Sequence, residues 1–111
     1  MVAILTGKAT GLNSTGNRQF TQSGAGAGGT ERGDRFGAAL SAGDFDGDGK
    51  DDLSAGSPDE DGGSVDAVGV VAVLTGSATG IDGTGNAQFT QSETGTESTE
   101  AGDRFGSALG E

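Results

Sequence analysis

The chain repeats itself at a fixed distance. "VAILTGKATGL" beginning at Val2 returns as "VAVLTGSATGI" at Val71, "QFTQS" at Gln19 returns at Gln88, and "GDRFG" at Gly33 returns at Gly102. Each pair is offset by 69 residues, and residues 1–42 laid over 70–111 give 26 identities in 42 positions without a gap. Such a repeat constrains the architecture before any local reading. One supersecondary unit is copied, and copies bury one another's faces. The 111 residues hold about 1.6 units.

Within the unit the apolar runs are short. "VAIL" and "VVAVL" are β-branched and too brief for helices, "QFTQ" alternates, and each run is bounded by Gly, Asn, Asp or Ser. With 24 glycines and one proline, the composition favours turns over helix interiors. The pattern predicts an all-β chain with four strands per unit, at about 35–42, 52–56, 69–74 and 18–22 or 87–91. A unit of this length with four short strands suggests a propeller blade, a four-stranded antiparallel sheet, rather than a solenoid coil. "SGAGAGGTERG" and "SETGTESTEAG" are expected to be loops between blades.

Five aspartates crowd into "DFDGDGKDD", residues 44–52, where like charges repel unless a cation gathers them. Numbered from Asp44, carboxylates stand at positions 1, 3, 5 and 9, which are Asp44, Asp46, Asp48 and Asp52. Lys50 at position 7 offers its backbone carbonyl, and Gly49 at position 6 permits the sharp turn. An all-oxygen set selects a hard cation, and a flexible cage of six or seven oxygens suits Ca2+ better than Mg2+. The first half of the loop matches an EF-hand. The second half does not, because position 12 is Ala55 and no helix follows. The alternative is a solvated acidic turn.

"RFGAALSAGDFDGDGKDDLSAGSP" resembles an FG-GAP repeat, the blade unit of integrin α-chain propellers and of many bacterial extracellular proteins. Phe36–Gly37 stands for the FG, residues 56–58 for the Gly-Ala-Pro, and the aspartate loop lies between them. "VVAVLTGSATGI" and "FTQ" also resemble the bacterial members, so the likeness runs over essentially the whole chain. It implies a calcium loop between the innermost and second strands of a blade. The ligands would be Asp44, Asp46, Asp48, the Lys50 carbonyl and Asp52. It also implies an extracellular or cell-surface setting and a role in adhesion or scaffolding.

The implied layout is a partial blade with a linker over 1–33, a complete blade over 34–92, and a linker with one further inner strand over 93–111. A closed propeller needs more blades than this. The expectation is therefore a homo-oligomer joined by blade-to-blade contacts, or else a fragment or an engineered unit. Phe20, Phe36, Phe89 and Phe105 are expected in the seams, and Arg35 and Arg104 in surface or inter-blade ion pairs.

Without histidine or cysteine, no His-based triad or usual zinc site can be built, and no enzyme is expected. A net charge of -11 argues against nucleic acid, and no apolar run suggests membrane insertion. A protein or glycan ligand is the remaining partner class, with a glycan-binding propeller as the alternative function. "GAGAGG" at 24–29 lacks the helix a dinucleotide site needs. "RGD" at 32–34 reads "AGD" in the second copy, which marks it as repeat drift, and "NST" at 13–15 becomes "DGT".

Overall fold

The computed structural model describes residues 1–26, 29–62, 64–81, 85–91 and 100–109. Eight strands run in the order β1 (Val2–Lys8), β2 (Gly11–Phe20), β3 (Ala39–Gly43), β4 (Asp52–Ser57), β5 (Val70–Leu74), β6 (Gly76–Ser77), β7 (Gly80–Ile81) and β8 (Ala87–Phe89). Strands β3-β4-β5-β8 form one antiparallel sheet in that order, and β1–β2 and β6–β7 are antiparallel pairs. There is no helix of four or more residues among the described residues, as the glycine content requires.

The 69-residue repeat is written into the registers. Val2 pairs with Phe20 as Val71 pairs with Phe89, and Ala3 with Gln19 as Ala72 with Gln88. Beyond a bulge after Ile4, Gly7 faces Leu12 as Gly76 faces Ile81. The long β1–β2 hairpin is thus the first unit's copy of both β5–β8 and β6–β7. The outer strand of that unit runs over 11–20, longer than the 18–22 expected, because the "TGKATGL" segment also folds back into the ladder.

The inner strand starts at Ala39 rather than 35. Arg35 and Gly37 take left-handed backbone, at φ 56° and 87°, and the Ala38 N–H closes a turn onto the Arg35 carbonyl at 2.9 Å. A strand cannot pass through two such residues. Arg104 and Gly106 repeat the corner at φ 53° and 85°. The positions equivalent to β3 would begin only at Ala108. Most of the 92–102 loop, and Ala27 and Gly28 of the earlier one, lie outside the described residues.

The core sits where the first unit meets the sheet. Phe20 packs with Ala25, Val70, Ala72 and Leu74, and Ile4, Phe36 and Ile81 border them. Phe105 is half-buried, whereas Phe89, the copy of Phe20, is 42% exposed. Arg35 and Arg104 both reach Asp59, each through Nε, and the Arg104 distance is 3.0 Å. Arg104 thus pairs across the units while Arg35 pairs within its own, with Asp59 of the "GSPDE" turn as the shared acceptor.

Backbones touch at the C-terminal corner. A Cβ on Gly56 would lie 2.0 Å from the Gly106 carbonyl oxygen, and one on Gly106 would lie 2.8 Å from Val71 Cγ2. Neither neighbour is a flexible side-chain end that could yield cheaply. Gly56→Ala should therefore lower stability by about 1–3 kcal/mol, the range for overpacking. Thermal unfolding measures it, and an unchanged midpoint would mean that the 100–106 corner does not rest on β4.

Candidate metal centre

The segment between β3 and β4 is a tight turn built by its own aspartates. Gly47 and Gly49 adopt left-handed backbone at φ 80° and 85°, which side chains disfavour, so the chain can turn sharply between the antiparallel strands β3 and β4. Asp44 holds the turn from inside. Its Oδ1 accepts the N–H groups of Gly47 at 2.8 Å and Asp48 at 3.1 Å, and its Oδ2 accepts that of Gly49 at 2.8 Å. Asp46 accepts a second bond from the Asp48 N–H, and Asp48 accepts the Lys50 N–H at 2.9 Å. Asp and Asn turns of this kind are why such residues open loops.

These turns bring the carboxylates of Asp44, Asp46 and Asp48 together, with one oxygen from each within 4.8 Å of the others. All three side chains are exposed. The Gly49 N–H, with help from Gly47 and Asp48, pulls the Asp44 carboxyl below its ordinary value. Asp46 goes the other way. The Asp48 N–H lowers it, but desolvation and the charges of Asp48 and Asp52 outweigh that bond and raise it. The share of that rise that comes from the Asp48 and Asp52 charges is what a cation would relieve.

Asp52 is placed differently from these three. It is 1% exposed, and its Oδ2 accepts the Phe45 N–H at 2.9 Å while its Oδ1 accepts the Gly76 N–H at 2.8 Å. It therefore ties the loop to the start of β6 from behind. Lys50 is exposed.

Removing that carboxylate should cost stability whether or not metal is bound. Asp52→Ala leaves two N–H groups without their acceptor, at about 1–3 kcal/mol each when buried. Thermal unfolding in chelator would measure it. A variant as stable as the parent without metal would assign Asp52 to the ion alone.

The donor chemistry fits a hard cation: carboxylate oxygens, with no nitrogen or sulfur donor in the set. Comparison with known families gives a match over residues 36–74, to the FG-GAP repeat. No match was found among curated proteins or among solved structures. The matched span covers β3, the aspartate turn, β4 and β5, so the loop and the strands that hold it belong together. Residues 36–74 of this chain are thus similar to an FG-GAP repeat.

Proposed function

We propose that the chain is a non-enzymatic, calcium-binding β-propeller module that acts as a structural and interaction scaffold at the cell surface or outside the cell. The observation that carries this reading is the convergence of Asp44, Asp46 and Asp48 inside an FG-GAP repeat. Asp44, Asp46 and Asp48 would hold the ion, joined by the Lys50 carbonyl and by Asp52 from behind. Calcium supplies the charge that lets three carboxylates share one turn, and so fixes the β3–β4 connection. Blade-like units of this kind complete their cores on neighbours, so copies of the chain are the first partner in this reading. Nucleic acid and membrane insertion have no place in it.

Equilibrium calcium titration tests the metal. One site per chain, with magnesium binding more weakly, supports the reading, and no binding at millimolar calcium overturns it. A cleft of about 250 Å³ beside the first unit, lined by Thr21, Gln22, Thr30, Asp34 and Phe36 among others, favours a second reading as a glycan-binding module. Reproducible binding to defined sugars on an array would select that reading, and a blank array would leave the scaffold.

A further inference from the structure

The "GDRFG" corner occurs twice, and on the second copy a segment of chain is seated. The N–H groups of Gly102, Arg104 and Phe105 donate to the carbonyls of Asp66, Ala67 and Val68 at 3.0, 2.9 and 2.9 Å. Gly69 then passes so close that a Cβ on it would lie 2.1 Å from the Phe105 carbonyl oxygen. The seated segment is bent, with Ala67 and Gly69 left-handed at φ 52° and 83°.

The first copy builds the same corner. Arg35 and Gly37 match Arg104 and Gly106 in left-handed backbone. Asp34 Oδ2 accepts the Glu31 N–H at 2.9 Å, as Asp103 Oδ2 accepts that of Glu100 at 2.6 Å. A Cβ on Gly37 would lie 2.8 Å from Val2 Cγ2, as one on Gly106 would from Val71 Cγ2. Yet the N–H groups of Gly33, Arg35 and Phe36 have no hydrogen-bond partner among the described residues. They stand beside the cleft of about 250 Å³, whose walls include Met1, Asp34, Arg35 and Phe36. Polar side chains of that cleft are already engaged. Gln22, 1% exposed, donates to Glu60 Oε2 and accepts the Ser57 hydroxyl at 2.9 Å, and Arg35 reaches Asp59. What the cleft offers a ligand is therefore backbone N–H.

Clustered N–H groups in a left-handed corner can hold an anion or a carbonyl. Here Glu31 and Asp34 line the cleft and the chain carries a net charge of -11, so an anion is repelled and a neutral carbonyl is favoured. We infer that the first corner is a docking slot for a bent loop of another polypeptide without net negative charge. That loop presents three successive carbonyls, the last two from small or apolar residues, and then a glycine. It lies across Gly33, Arg35 and Phe36 as residues 66–69 lie across Gly102, Arg104 and Phe105. The glycine is required, because a side chain there meets backbone that cannot yield. The slot shares no residue with the aspartate turn, and it stands whether or not that turn binds calcium.

The test is backbone amide NMR of the full chain in calcium. The titrant is an acetylated, amidated peptide of residues 64–70 carrying Asp66→Asn. Shifts at Gly33, Arg35 and Phe36 that saturate in the millimolar range support the slot, as expected of a few backbone hydrogen bonds and one buried valine. The same peptide with Gly69→Ala should bind roughly tenfold more weakly or worse. No shift at those amides by about 10 mM peptide overturns the proposal, and so does equal binding of the Gly69→Ala peptide. Shifts confined to Gly102, Arg104 and Phe105 overturn it as well, since they report exchange at the second corner. Shifts produced by defined sugars and not by the peptide would overturn it and return the cleft to the glycan reading.

Discussion

Calcium should raise the thermal midpoint of this chain by roughly 10 °C or more at a hundredfold excess over Kd, and Asp44→Ala or Asp48→Ala should abolish the rise. Each substitution removes one of the three carboxylates that lie within 4.8 Å of one another. Asp44→Ala should be the worse of the two without metal, because three N–H groups lose their acceptor at once. Asp46→Asn separates charge from turn geometry, since the amide oxygen can still accept the Asp48 N–H. In chelator it should melt no lower than the parent, because a repelling charge is gone. In calcium it should melt lower, because a charged ligand is gone. Magnesium should protect less, since it gives up its waters reluctantly. A midpoint indifferent to calcium in the parent chain would reduce the loop to a self-capped acidic turn.

Much of this site could be read from spacing. Aspartates at alternate positions with glycines between them can do little but turn, and Asp44, Asp46 and Asp48 converge as that spacing implies. Strands β4 and β5 were legible for the same local reason, as "DLSAGS" and "VVAVL" have strand length and small or β-branched residues. What the sequence hid depended on distant partners. Nothing near Asp52 in the chain announces that Gly76 will lie against it, 24 residues later. The late start of β3 was hidden too, because it depends on the left-handed backbone of Arg35, a residue type seldom found there. Arg35 and Arg104 were expected in surface or inter-blade pairs, but Asp59 as the acceptor of Arg104 arises only when the C-terminal corner stacks on the sheet. The Gln22–Glu60 contact is of the same kind, joining residues 38 apart from different units.

The same repeat predicts what the outer face of the second unit does. Phe20 is 9% exposed because the sheet residues Val70, Ala72 and Leu74 cover it, and its copy Phe89 is 42% exposed. Strand β5 is paired on both edges, by β4 and β8, whereas among the described residues β1 is paired only by β2. Each feature is half of a contact that the fold already makes once. We propose that copies associate in calcium through these halves and close into a propeller-like ring, with the phenylalanines of "DRFG" and "QFTQ" in the seams. Burying one phenylalanine contributes about 1.5–3 kcal/mol, so Phe89→Ser should weaken each seam roughly ten- to a hundredfold. Phe20 and the core of the first joint are untouched by that change, so the variant should stay folded. Light scattering at micromolar concentration in calcium should give a mass above that of one chain for the parent and near one chain for Phe89→Ser. A dispersed, folded monomer of the parent would end the proposal.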